Sequence, residues 1–238
     1  MKLAAARETG RMLLETVFPG RCLLCGEWLL LQSDHRVPLC ARCAGGMKAQ
    51  SGPCCRKCGV KLIVEDGICV RCRNTDYSFE SSIALFPYAT AAKTLLESLK
   101  FRGRRRLVPW FAVQAWSALR GAGRLFPLVP VPSRKRTGAQ GIVGQVTACL
   151  QRNHGMTVTP ALERRGGAPQ KSLNYAERQE NLKQRIHLAA GYDERALPEE
   201  VVLVDDVFTT GATLDACARV LRAAGCSRVY AITLAIEE

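Results

Sequence analysis

Four Cys-x-x-Cys pairs are packed into the first third of this chain: Cys22 with Cys25, Cys40 with Cys43, Cys55 with Cys58, and Cys69 with Cys72. Each pair presents two thiolates from one tight turn, and two pairs close a tetrahedral all-sulfur shell with Zn–S of about 2.3 Å. Eight thiolates make two such shells. Separations of 14 residues between Cys25 and Cys40 and 10 between Cys58 and Cys69 suit short ribbon hairpins, which favours pairing in sequence order over an interleaved arrangement. Gly26 and Gly59 follow two of the pairs, where a left-handed backbone lets amide N–H groups point at sulfur. Cys54 competes with Cys55 for a ligand position, and the Cys-x-x-Cys spacing favours Cys55. His35 lies in the first hairpin, where four thiolates already satisfy a metal, and reads as a surface residue. Cys149, Cys217 and Cys226 stand alone in apolar or turn contexts and read as core thiols. Ribbons this small bury little apolar area, so their folding is expected to depend on zinc.

Twelve cysteines do not imply a secreted disulfide scaffold here, because nine of them crowd between Cys22 and Cys72. Charges at Lys2, Arg7, Glu8, Arg11 and Glu15 interrupt any apolar leader, and no apolar run approaches the roughly 18 residues of a spanning helix, so a cytoplasmic protein without a membrane span is expected. Thirty-four Lys and Arg against 21 Asp and Glu give a net charge of +13, which favours polyanionic partners without naming one. Five of the seven residues from Lys100 to Arg106 are basic, the densest positive run in the chain. Aromatic residues are only 6% of the chain, and no stacking platform for nucleic acid bases is evident beside that run.

The organisation expected is an amphipathic helix over residues 1–20, a double zinc ribbon over 21–78, and an α/β domain over 79–238. Strands are expected at Ser82–Tyr88, Leu128–Val131, Met156–Leu162, Val201–Val204 and Val229–Ile236, with helices at Ala89–Lys100 and Ile142–Asn153. Ser133-Arg-Lys-Arg136 with Gly138, Gly141 and Gly144 forms a cationic, glycine-rich loop suited to pyrophosphate.

The carboxyl-terminal segment carries the strongest chemical signal. Val201–Val204 leads into Asp205 and Asp206, then Val207, Phe208 and the loop Thr209-Thr210-Gly211-Ala212-Thr213 before an amphipathic helix and another apolar strand. Such a βαβ unit puts its polar residues at the carboxyl end of the strand, where ligands bind in open α/β sheets. Backbone N–H groups at the start of a helix, with threonine hydroxyls, suit the phosphate of a ribose 5-phosphate. The paired carboxylates suit the ribose hydroxyls and the positive charge of an oxocarbenium-like ribosyl centre.

The string VVLVDDVFTTGAT, Val201 to Thr213, resembles the phosphoribosyl pyrophosphate signature of type I phosphoribosyltransferases. Joined to four knuckles, Val129-Pro-Val-Pro132 and the segment QKSLNYAERQENL from Gln170 to Leu182, it resembles the ComF family of competence proteins along nearly the whole chain. That resemblance implies a type I phosphoribosyltransferase-like parallel sheet flanked by helices. It assigns Asp205 and Asp206 to the ribose hydroxyls, Thr209 to Thr213 to the 5-phosphate, and Ser133, Arg134, Lys135 and Arg136 to pyrophosphate. Gln170, Asn174, Arg178 and Asn181 match the polar positions of a mobile flap, and magnesium is expected to accompany the pyrophosphate. The family's Arg-Gly-Phe-Asn-Gln run is replaced by Gln140-Gly-Ile-Val-Gly144 and Gln145, so an arginine and an asparagine are absent.

Three functions follow as expectations: a DNA-uptake factor with single-stranded DNA and a competence helicase as candidate partners, a phosphoribosyltransferase acting on an unknown acceptor such as a nucleobase, and a sensor of phosphoribosyl pyrophosphate without turnover.

Overall fold

The computed structural model describes residues 20–29, 37–47, 49–50, 52–63, 67–133, 141–166 and 185–237. The expected helix over 1–20, His35, Arg134 to Arg136, and the flap residues Gln170, Asn174, Arg178 and Asn181 lie outside them. A sheet of four parallel strands organises the chain: β1 (Ser82–Pro87), β6 (Arg228–Ile236), β5 (Glu200–Phe208) and β2 (Leu128–Pro130), in that spatial order. Parallel pairing requires crossovers, which cover both faces. Alternation along β5 shows the result: Val202 and Val204 join one core, Val201 and Leu203 the other.

On the first face lie α3 (Thr90–Arg102), α4 (Val108–Gly121) and α5 (Ile142–His154), through Leu95, Phe111, Val146 and Leu150. Phe86 stacks on Trp110 at 5.3 Å between ring centres. The second face carries α6 (Ala212–Ala223), through Leu214, Cys217 and Leu221, and an antiparallel pair of β3 (Leu162–Arg164) and β4 (Ile186–Leu188). Cys149, Cys217 and Cys226 are buried, as core thiols should be. Among the described residues no helix is long and apolar enough to cross a membrane.

The two ribbons divide between these faces. Cys22, Leu29, Leu39 and Cys40 of the first belong to the core with α3 to α5; Cys55, Cys58 and Cys72 of the second belong to the core with α6. Each opens with a small antiparallel bridge, Arg21 opposite Trp28 and Cys54 opposite Lys61. Each then reaches a helical turn, α1 (Ala41–Gly46) and α2 (Val70–Arg73), with Cys40 and Cys69 at the respective N-caps. Gly59 has φ of +79°, and a Cβ on it would stand 2.7 Å from the Ala84 nitrogen, so the third knuckle lies directly against β1.

Two expected elements differ. Met156–Leu162 makes only an isolated bridge, Leu128 to Val158, before β3 begins at Leu162; Pro160 interrupts that stretch and has no N–H to donate to a ladder. Strand β5 does not stop at Val204 but runs through the aspartate pair to Phe208, because β6 is equally long and pairs Val207 with Ala235 and Phe208 with Ile236.

Candidate functional sites: two thiolate tetrads and the carboxyl end of β5

The knuckles close into two tetrads in sequence order. Sulfur atoms of Cys22, Cys25, Cys40 and Cys43 lie within 4.8 Å of one another, and so do those of Cys55, Cys58, Cys69 and Cys72, with Cys54 in neither. The Cys25–Cys40 and Cys58–Cys69 sulfur pairs are 3.7 Å apart. A tetrahedron with Zn–S of about 2.3 Å has edges of about 3.8 Å, so two structural zinc ions fit these positions. Gly26 and Gly59, at φ of +73° and +79°, complete the turns after the first and third pairs and donate to the Cys22 and Cys55 carbonyls. The Cys43 N–H reaches the Cys40 sulfur at 3.4 Å, and the Cys69 N–H reaches the Cys55 sulfur at 3.3 Å.

Electrostatics explain the need for a cation. Burial works against ionisation of Cys22 and Cys55, yet surrounding backbone N–H donors prevail and lower each thiol to about 6. Their partners move the other way: burial and neighbouring sulfur raise Cys43 and Cys58 to about 12 and Cys72 further still. A bound cation would offset the cost of ionising the buried thiols of Cys43, Cys58 and Cys72.

At the carboxyl end of β5 a shallow hollow is lined by Asp205, Val207, Phe208, Thr209, Gly211, Thr213 and Leu214. Asp205 accepts the Asp206 N–H at 2.8 Å, and Asp206 pairs with Lys100 Nζ at 2.6 Å. Burial, then the Asp206 charge, raise the Asp205 carboxyl to about 7, against the backbone N–H and the cations Lys100 and Arg164. Gly211 is the N-cap of α6 at φ of +78°, so the threonine loop turns directly into the helix start. The Ala212 N–H reaches the Thr210 hydroxyl at 3.4 Å. An anion here would meet helix-start N–H groups, and a polyol would meet the carboxylates.

Asp205, Thr209, Gly211 and Thr213 thus line one hollow, with Asp206, Thr210 and Ala212 next to them in the chain but not in its lining. Ser133 is exposed three residues past β2, the strand paired with β5. Three contributors had no sequence signal pointing to the site. Lys100 counted only as part of a basic run; Phe101, next to it in the chain, is 76% exposed. Arg71 sits inside a knuckle and Tyr77 just beyond the second ribbon, and both reach the threonine loop.

Fold and sites together define a double zinc ribbon joined to a parallel α/β unit with an anion-suited helix start. Residues 13–73 match the family described as Double zinc ribbon domain. Over most of its length the chain is a relative of Competence protein F of Haemophilus influenzae, 26% identical with 92% of this chain and 97% of that protein covered. Competence protein ComFC of Bacillus subtilis is 27% identical over 84% and 88%, and DNA utilization protein YhgH of Escherichia coli O157:H7 is 27% identical over 89% and 94%. The resemblance to the ComF competence proteins, first carried by motifs, thus extends along the chain.

Metal analysis of freshly reduced protein should give about two zinc ions per chain, and Cys58→Ser should release about one; zinc near zero in the unsubstituted chain would contradict the tetrads. Asp205 makes a second prediction. Its folded value, about 7, lies above the unfolded value of about 3.9. The stability it contributes is complete below the unfolded value and is lost as pH rises through 7. Asp205→Asn should therefore raise the thermal midpoint more at pH of about 8 than at about 5, measured without divalent cations; equal shifts would show that Asp205 is not held neutral.

Proposed function

We propose that the carboxyl end of β5 binds phosphoribosyl pyrophosphate and that the chain acts in the cytoplasm in natural competence, the uptake or use of single-stranded DNA. The observation that carries the ligand assignment is the adjacency of two carboxylates to a threonine-glycine loop that opens a helix. Loop N–H groups and the Thr209, Thr210 and Thr213 hydroxyls hold the 5-phosphate, while Asp205 and Asp206 accept from the ribose hydroxyls. A carboxylate has lone pairs for several donors, so Asp206 can keep Lys100 and still accept a hydroxyl. In transfer, the bond from the anomeric carbon to pyrophosphate breaks as an acceptor attacks, and the carboxylates stabilise the positive charge on the ribosyl ring. Ser133, Arg134, Lys135, Arg136, Gln170 and Arg178 are assigned to pyrophosphate and the flap. Magnesium entering with the substrate would supply positive charge for the departing pyrophosphate. The acceptor of a phosphoribosyltransferase is a matter for a screen of nucleobases, and the replaced 140–145 run favours a sensor should every acceptor fail.

Competence is the process named for two of the relatives and DNA utilization for the third, and DNA enters through the basic corner of this chain. Helix α3 ends at Arg102 because Gly103 takes φ of +60°, and the chain continues through exposed Arg104 and Arg105 to a 3-10 turn anchored by buried Leu107. Phe101 stands among these cations, and base stacking on an aromatic ring beside a cationic track is how sequence-tolerant single-strand binding works.

Calorimetric titration with phosphoribosyl pyrophosphate and magnesium should show binding that weakens about a hundredfold or more in Asp205→Asn with Asp206→Asn, while two zinc ions remain. Unchanged affinity would remove the site assignment. Single-stranded DNA binding should fall steeply with salt, by a logarithmic slope of about 0.7 per phosphate contacted. Phe101→Ala should weaken it about tenfold at one salt concentration, and an affinity unaltered by Phe101→Ala and by Arg104→Ala with Arg105→Ala would move DNA away from this corner.

A further inference from the structure

The second ribbon touches the loop that the proposed ligand would occupy, and it does so through the backbone. Arg71, between Cys69 and Cys72, donates from its guanidinium to the Thr209 carbonyl at 2.5 Å and to the Glu237 carbonyl at 3.4 Å. The Tyr77 hydroxyl donates to the Thr210 carbonyl at 2.7 Å. Burial raises Tyr77 to about 12, so its hydroxyl keeps the proton it donates. A Cβ on Gly211 would lie 2.7 Å from the Phe208 ring and 2.8 Å from the Tyr77 ring, so the loop rests on these rings with no room for a side chain. Tyr77 in turn stacks on Phe79 at 4.8 Å, and Lys57 of the third knuckle donates to the carbonyls of both, at 3.1 Å for Tyr77. The Ser78 N–H reaches Asp215 on α6 at 2.7 Å.

Peptide geometry converts these contacts into a function. In a planar trans peptide the N–H of one residue points opposite to the C=O of the residue before it. Holding the Thr209 and Thr210 carbonyls toward the ribbon therefore turns the Thr210 and Gly211 N–H groups away from it. Neither N–H makes a hydrogen bond among the described residues, and Gly211 lines the hollow. A loop of this sequence free of the ribbon would sample many orientations, because glycine and its neighbours have wide backbone freedom.

We infer that Arg71 and Tyr77 are positioning residues through which the second zinc ribbon aims the Thr210 and Gly211 N–H groups into the hollow, so that anion binding at this loop requires the second tetrad and not the first. Only the identity of the anion rests on the phosphoribosyl reading. Closing the tetrad fixes the turn Val70–Arg73 and with it Arg71; Tyr77 follows Cys72 by five residues and is held by Lys57 from the same ribbon. The first tetrad packs on the opposite face of the sheet and belongs to the other core.

The test compares the zinc-loaded full chain with Tyr77→Phe, Arg71→Met, Arg71→Lys, Cys72→Ser and Cys43→Ser. Zinc content, affinity for phosphoribosyl pyrophosphate with magnesium, and nitrogen relaxation of the Thr210 and Gly211 amides without ligand are measured on each. Tyr77→Phe should weaken binding about fivefold and Arg71→Met about tenfold, with two zinc ions retained and both amides more mobile. Arg71→Lys should recover part of the loss, since an ammonium can donate to one carbonyl but not to two in a fixed fork. Cys72→Ser should lose one zinc and most of the affinity, and Cys43→Ser one zinc and little affinity. Should the unsubstituted chain fail to bind, the phosphoribosyl reading falls, and amide mobility alone decides the positioning role. Zinc-replete Tyr77→Phe and Arg71→Met chains with unchanged amide mobility would overturn it, as would equal loss of affinity in the two cysteine variants.

Discussion

The stretch of a parallel strand that is buried on both faces has no place for a polar side chain, and β5 obeys this constraint. Val201 to Val204 are fully buried, alternating between two cores, and Asp205 and Asp206 follow where the strand, still paired with β6, is only partly buried. The remaining chemistry is arranged around that exit. Helix α6 starts four residues beyond the strand's end, so its first turn lies by the hollow that Asp205 lines. Helix α3 contributes Lys100, which pairs with Asp206.

Cation placement at this exit sets the balance of charge. Two adjacent carboxylates repel, and a half-buried pair cannot both ionise freely without positive partners. Lys100 meets Asp206 directly, and Asp205 is left with the neighbouring N–H and more distant cations, too little to offset the burial that raises its carboxyl. A basic run that looks like a solvated surface in the sequence is thus partly an internal counter-charge, with Arg102, Arg104 and Arg105 still facing outward.

What the sequence revealed and what it hid divide by distance along the chain. Knuckle spacing is local, and it predicted two ribbons closed in sequence order; the apolar run ending in Asp205 and the threonine loop are equally local, and they located the strand exit. The length of β5 was hidden, because Val207 and Phe208 are held in the strand by Ala235 and Ile236 of another element. Arg71 and Tyr77 were hidden for the same reason, since their partners Thr209 and Thr210 lie 138 and 133 positions away. Phe101 stands between Lys100 and Arg102 in the sequence, and what the structure adds is that its ring is exposed there.

The strand order β1-β6-β5-β2 has a consequence for how such a chain is assembled during synthesis. Among the described strands β6 follows all the others in sequence, yet it lies between β1 and β5 and joins them. Both ribbons leave the ribosome long before the surface they pack against exists. They can take up metal at once, but their apolar sides stay bare until β6 slides into the middle of the sheet and completes both cores together. Loss of β6 would therefore remove the keystone of the sheet and not a margin, leaving two ribbons attached to a domain without a centre.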